Sequence, residues 1–195
     1  MKILYVDTTT PDLVVAVVED NKITDVTAAA VGVHHSEMLC DKVTEALRQA
    51  NVTFRDLDAY ACAIGPGSFT GIRIGISTVK GYCTAVKLPY VGVNCLEAIA
   101  TSRNCNARGS AIIDAGNGYY YADYNGGIAP TLINYDDERA SSAGRAQSAV
   151  DYFDGAVELI RKRFAEGRFD RELTPLYIRR SQAEENKLIQ SEKNK

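Results

Sequence analysis

The chain has 195 residues, 46% of them hydrophobic and 24% charged, and a formal net charge of −3. That length and balance predict a soluble globular protein with one domain or two small ones, and exclude a protein that wraps nucleic acid over its whole surface, though not a local basic patch. Cys40, Cys62, Cys83, Cys95 and Cys105 are odd in number and lack CxxC spacing, which reads as free thiols. With Met1 running straight into a strand, no charged leader and no long apolar span, the expected location is the cytoplasm, away from membranes.

Three strands open the chain, Lys2 to Asp7, Leu13 to Val18 and Ile23 to Ala30, with residues 8–12 turning between the first two. By its residue types that turn is a capped polar hairpin turn. Past Gly32 and Val33 come His34 and His35, which as neighbours cannot both face one metal from regular structure and have no ligand spacing around them. They read as structural or interfacial. Ser36 is the expected N-cap of a helix, with Glu37 at its positive end, Leu39, Val43, Ala46, Leu47 and Ala50 as its buried stripe, and Asn51 as a left-handed stop. Met38, Asp41 and Glu45 fall off that stripe, where a partner can reach them.

An apolar run from Ala59 to Ile64 leads into Gly65, Pro66, Gly67 and Ser68, and a helical pattern runs on from Gly71 to Val86. Glycines flanking a proline make a sharp turn, and Ser68 or Thr70 caps the helix. A P-loop needs Lys followed by Ser or Thr after the second glycine; Ile72 and Arg73 rule it out. One face of this helix carries Ile72, Ile76, Val79, Cys83 and Val86, spaced to pack on a sheet. The other carries Ile74, Thr78, Gly81 and Ala85, which is not polar either. Because glycine inside a helix costs about 1 kcal/mol relative to alanine, Gly75 and Gly81 point to close approach by another element. That element belongs either to the same domain or to a second subunit.

A turn and short strand over Lys87 to Val93 precede a helix from Cys95 to Thr101. The second half opens on a strand, Ser110 to Asp114, a Gly116–Gly118 turn, and a strand bearing Tyr119, Tyr120, Tyr121 and Tyr124 alternating in face. This repeats the opening plan, with Asp114 as the counterpart of Asp7. Residues 136–148 read as a loop, Val150 to Phe164 as a helix buried through Val150, Phe153, Val157, Ile160 and Phe164 and stopped by Gly167, Leu173 to Arg180 as an extended segment, and Gln182 to Lys195 as a charged, frayed tail. No nucleophile, base and orienting group form a recognisable set, and there is no GxGxxG.

The string GPGSFTGIRIG at Gly65–Gly75, with DTTT at Asp7–Thr10 and PLYIRR at Pro175–Arg180, resembles the bacterial TsaB (YeaZ) family. The resemblance implies an α/β fold of the actin-like ATPase (ASKHA, ribonuclease H-like) type with two lobes, here 1–103 and a reduced 104–181, followed by the tail 182–195. It also implies a function: a non-catalytic partner of the catalytic subunit TsaD, acting with the ATPase TsaE in threonylcarbamoylation of tRNA adenosine 37 (t6A), meeting tRNA only through the complex and pairing with itself in isolation. In such folds the first hairpin holds a catalytic Asp and phosphate-binding groups, making Asp7, Thr8 and Asp114 candidate nucleotide contacts and an actin-like ATPase or kinase using Mg-ATP the alternative. Against it, the turn lacks the glycine of active members, and the glycine-rich segment that holds adenosine in them is missing. TsaD carries metal-binding histidines where this chain has Cys95 and Ile99, so neither a metal nor a cofactor is expected. The expected interface is Met38, Asp41, Glu45, Ile74, Thr78, Gly81, Tyr82 and Ala85.

Overall fold

The computed structural model describes residues 1–28, 34–105 and 109–178. Three strands lead, β1 (Lys2–Asp7), β2 (Leu13–Glu19) and β3 (Ile23–Ala28), then α1 (His35–Ala50), β4 (Ala59–Gly65), α2 (Phe69–Val86), β5 (Tyr90–Asn94) and α3 (Cys95–Thr101). The second half has β6 (Ser110–Asp114), β7 (Tyr119–Asp123), β8 (Ile128–Ile133), a 3-10 turn over Glu138–Ser141, β9 (Gly144–Arg145) and α4 (Phe153–Ala165).

Two mixed sheets form, ordered β3-β2-β1-β4-β5 and β8-β7-β6-β9. In each, the first strand pairs antiparallel with the second and parallel with the fourth. The second sheet thus repeats the strand order of the first, less one strand. Asp7 ends β1 and Asp114 ends β6, so the two acids hold equivalent places.

Strand β1 is buried on both faces, which is why it is an apolar run rather than an alternation. Leu4 and Val6 pack with Leu39, Val43, Ile72, Ile76 and Val79 of α1 and α2. Ile3 and Tyr5 face α3 and α4, sharing a core with Leu96, Ile99, Val157 and Ile160 and with Ala111 and Ala122 of the second sheet. Each such aliphatic side chain contributes about 1.5–3 kcal/mol through its removal from water. The short helix α3 is held at its start by Asn94, whose Oδ1 accepts from the amides of Leu96 (2.9 Å) and Glu97 (3.4 Å). Arg163 of α4 ties down its outer side through Glu97 (2.8 Å).

Several expectations need correction. α1 starts at His35 with His34 at the N-cap position, so Ser36 lies inside the first turn and caps nothing; His35 is buried with Nε2 3.3 Å from the Asp12 carbonyl oxygen, while exposed His34 pairs with Glu37. The third strand is described over Ile23–Ala28, and the rest of its predicted range, Ala29 and Ala30, lies with Gly32 and Val33 outside the described residues. Residues 136–148 hold the 3-10 turn and β9, which pairs with β6. β8 has no counterpart in the sequence reading. α4 begins at Phe153, because Asp151 Oδ2 accepts from the amides of Gln147 (2.7 Å) and Ser148 (3.0 Å) and closes a turn that leaves Val150 exposed. Arg179, Arg180 and the tail lie outside the described residues.

Candidate functional site

Two places gather the residues singled out by the sequence. The first is the outward face of α1 and α2. Ser68 caps α2, its Oγ accepting from the Gly71 amide at 3.1 Å, and Ile72, Ile76, Val79 and Cys83 are buried against the sheet as their spacing requires. On the other side, the first half of α2 and the start of α1 border a groove of about 470 Å³ lined by Leu39, Cys40, Phe69, Arg73, Ile74 and Thr78, with Ser36, Thr70 and Ser77. Of the expected interface residues, Ile74 and Thr78 line it. Met38 is half-buried beside it, Asp41 is exposed, and Glu45 is engaged by Lys42 Nζ at 2.8 Å, a contact that lowers its pKa.

Farther along α2, Gly81 and Ala85 are exposed, and a Cβ at Gly81 would meet nothing within 4 Å. Close approach at Gly81 therefore does not come from the described residues. At Gly75 it does: a Cβ there would sit 2.6 Å from Thr8 Oγ1 and 3.3 Å from Cys62 Sγ. Tyr82 serves the fold as well as the face. Its ring packs 5.0 Å from Phe54 and 6.0 Å from Tyr60, and its hydroxyl donates to Cys40 Sγ at 3.7 Å.

The upper rim of the groove is an aromatic and arginine stack that sequence reasoning missed. The Arg73 guanidinium lies 3.9 Å over Phe69, its Nε donates to the Tyr177 hydroxyl at 2.9 Å, and the Phe69 and Tyr177 rings stack at 5.0 Å. With the Leu176 amide bonded to the Ile64 carbonyl (2.8 Å), this holds the end of the described chain against α2. The signal in the sequence was that Phe69 and Arg73 fall in GPGSFTGIRIG and Tyr177 in PLYIRR, two of the strings that carry the family resemblance.

The second place is the cleft between the sheets, a cavity of about 460 Å³ walled by Thr9, Thr10, Gly67, Ser68, Asp114 and Tyr152 among others. Asp114 is exposed there, accepting from the Gly116 amide (2.7 Å) and the Tyr135 hydroxyl (3.0 Å). Asp7 and Thr8 do not line it; both are buried. Both oxygens of the Asp7 carboxylate are engaged, Oδ1 by the Thr9 amide (2.8 Å) and Thr9 Oγ1 (2.7 Å), Oδ2 by the hydroxyls of Tyr5 (2.9 Å) and Tyr152 (2.8 Å). Burying a carboxylate costs several kcal/mol, which donors worth about 1.5–3 kcal/mol each can offset. Thr8 Oγ1 is likewise committed, donating to the Gly71 carbonyl at 2.7 Å. Burial raises both phenols well above their ordinary range, with the Asp7 charge adding to it. Cys95 beside them is pushed up to about 12, first by burial and then by Asp7. Cys95 and Ile99, at the places where the resemblance puts histidines in TsaD, are both core residues.

The architecture is that of solved structures. YeaZ from Pseudomonas aeruginosa superimposes with a TM-score of 0.70 at 21% identity, over 90% of this chain and 100% of that one. A second, described as an uncharacterized protein with similarity to peptidase YEAZ from Pseudomonas aeruginosa, gives 0.71 at 21% identity over 91% and 99%. The fold is therefore the actin-like, ribonuclease H-like α/β fold, with a smaller second sheet. The family model described as TsaD: tRNA N6-adenosine threonylcarbamoyltransferase matches residues 23–146, and the chain belongs to that family. Among its relatives, the tRNA threonylcarbamoyladenosine biosynthesis protein TsaB of Escherichia coli (strain K12) is 34% identical over 128 residues, 64% of this chain and 55% of that one. TsaB of Bacillus subtilis (strain 168) is 28% identical over 137 residues, 68% of this chain and 60% of that one. The chain spans about half the length of the curated relatives it matches. Among the described residues no helix is long and apolar enough to cross a membrane.

Proposed function

We propose that this protein is a non-catalytic partner of a TsaD-type subunit in threonylcarbamoylation of tRNA adenosine 37, docking through the face of α1 and α2. The observation that carries the reading is the groove in which exposed Phe69 and half-buried Ile74 stand over buried Leu39, with exposed Gly81 and Ala85 farther along the same helix. Apolar surface flanked by polar side chains, here Ser36, Ser77 and Asp41, is the usual composition of a protein interface. TsaB relatives carry t6A biosynthesis in their names, which supplies the pathway. The TsaE-type ATPase and tRNA would join through the complex, and the same face would make a homodimer when the partner is absent.

The ATPase or kinase reading is disfavoured by the state of Asp7. A carboxylate that holds Mg-ATP needs an oxygen free for the metal or its water, and both of these oxygens point into hydrogen bonds within the fold. The direct test is reconstituted tRNA modification by the TsaD-type and TsaE-type subunits with and without this chain. Dependence on the wild-type chain, retained in Asp114→Asn and lost in Ile74→Glu, supports a positional role. Equal activity without the chain, or loss in Asp114→Asn at unchanged complex formation, overturns it.

A further inference from the structure

Arg73 is the one charged side chain that lines the groove on α1 and α2, and no carboxylate lines it beside Arg73. The guanidinium is held at two points, over the Phe69 ring at 3.9 Å and through Nε to the Tyr177 hydroxyl at 2.9 Å. Its two terminal nitrogens have no hydrogen-bond or ion-pair partner among the described residues, and the side chain is exposed. Arg139 gives the contrast within the molecule. It too lies over an aromatic ring, 5.2 Å from Tyr121, but Asp137 fills its fork, taking Nε at 2.8 Å and Nη2 at 2.6 Å. Lys80, farther along α2, likewise meets a carboxylate, that of Glu172 at 3.4 Å. Arg73 is stacked and oriented as Arg139 is, with its outer edge left empty.

Fixing the end of the described chain does not account for this arginine, since Leu173 is buried and the Leu176 amide is bonded to the Ile64 carbonyl. The stack does remove rotamer freedom that an exposed arginine otherwise gives up on binding. Phe69 and Tyr177 remain 38% and 41% exposed, so the charge sits among open aromatic surface. Arginine beside aromatic rings is the composition of the anchors that dominate protein interfaces.

We infer that Arg73 is a specificity-determining residue of the docking face, and that it takes the carboxylate of an acidic side chain on the TsaD-type subunit, set beside an apolar side chain that enters the groove over Leu39 and Ile74. The inference rests on the docking proposed above and adds the chemistry of what docks. The terminal nitrogens of a guanidinium donate two parallel bonds to the two oxygens of one carboxylate, a geometry that a lysine ammonium does not copy. A partner presenting a cation at this place would be rejected, because the groove holds no anion to neutralise it.

The test is the dissociation constant of the full-length chain with the TsaD-type subunit of the same organism, measured without RNA at low and at high salt. The wild-type complex should weaken as salt rises. Arg73→Gln should weaken it at least about tenfold at low salt and flatten the salt dependence. Arg73→Lys, which keeps the charge and loses the fork, should restore the salt dependence and only part of the affinity. Tyr177→Phe keeps the ring and the charge and removes only the acceptor of Nε, so its loss should be smaller than that of Arg73→Gln, with the salt dependence of wild type. Wild-type affinity in Arg73→Gln, an equal loss in Tyr177→Phe, or an unchanged salt dependence in Arg73→Gln would each overturn the assignment. A loss that appears only when tRNA is added would give Arg73 to an RNA phosphate and overturn it as well. Absence of any wild-type complex removes the docking itself and the assignment with it; a complex lost in Ile74→Glu but indifferent to Arg73→Gln leaves the docking standing and overturns the carboxylate alone.

Discussion

Replacing Gly71 by alanine should destabilise the protein, while the same replacement at Gly81, ten residues along the same helix, should stabilise it. Both gain helix propensity, up to about 1 kcal/mol. At Gly81 nothing opposes the gain, since the residue is exposed and an added Cβ meets no atom within 4 Å. At Gly71 the Cβ would overlap the carbonyl oxygen of Thr8, lie 3.0 Å from the Thr8 carbonyl carbon and 3.2 Å from Ser68 Cβ. Thr8 follows the central strand directly and is pinned by the bond from its Oγ1 to the Gly71 carbonyl, so the helix must move instead. Overpacking of this kind costs about 1–3 kcal/mol or more, and displacing that buried bond adds about 1 kcal/mol. The net loss is about 1–3 kcal/mol after the propensity gain. At about 2–4 °C per kcal/mol for a chain of this size, calorimetry should find Gly71→Ala melting about 2–12 °C lower and Gly81→Ala about 2–4 °C higher than wild type. Equal shifts in the two variants would refute the close packing of the turn on α2.

Three further outcomes follow from buried acids, the aromatic stack and the thiols. Cys83, Cys95 and Tyr60 are pushed up to about 12 and Tyr5 and Tyr152 are raised well above their ordinary range, all chiefly by burial. The unfolded chain releases these protons first, near pH about 8.5 for thiols and about 10 for phenols. Their contribution is therefore complete below those values and is lost as the pH rises, so the melting temperature should hold to about pH 8 and fall steeply by about pH 10.5; a flat profile would contradict the neutral buried cluster. Arg73→Ala removes the guanidinium from Phe69 and the bond to Tyr177, at a cost of about 0.5–1 kcal/mol; amide exchange at Leu176 should rise while that within α1 stays unchanged. Of the five free cysteines only Cys40 is exposed, so a thiol reagent should modify one equivalent natively and five in denaturant.

How far the sequence could be read varied with the range of the forces involved. α2 was legible because its apolar spacing, the Ser68 cap and the neighbouring Gly-Pro-Gly turn are local signals that agree. The same holds for α1 from Leu39 to Asn51, where the left-handed stop has φ 57°. Its start was not legible, since Ser36 is the better cap by residue type but His35 is drawn into the first turn by burial against Asp12. β8 escaped because an edge strand with Pro130 and an exposed Leu132 shows neither a full apolar run nor a clean alternation. β9 is two residues long and exists only through its pairing with β6. At the candidate site, Ile74 and Thr78 followed from helical spacing. The fate of Asp7 did not, because the hydroxyl that completes its shell comes from Tyr152, 145 residues away.

Binding of a TsaD-type subunit by the face of α1 and α2 can be tested by size-exclusion chromatography with light scattering on this chain alone, on its mixture with the TsaD-type subunit of the same organism, and on the same mixture with Ile74→Glu. A self-dimer should give way to a heterodimer, with both assemblies weakened by Ile74→Glu and by Gly81→Arg while the monomer keeps its wild-type circular dichroism. A heterodimer formed equally well by both variants would place the interface elsewhere on the molecule, and no association under any nucleotide condition would contradict the partner role itself.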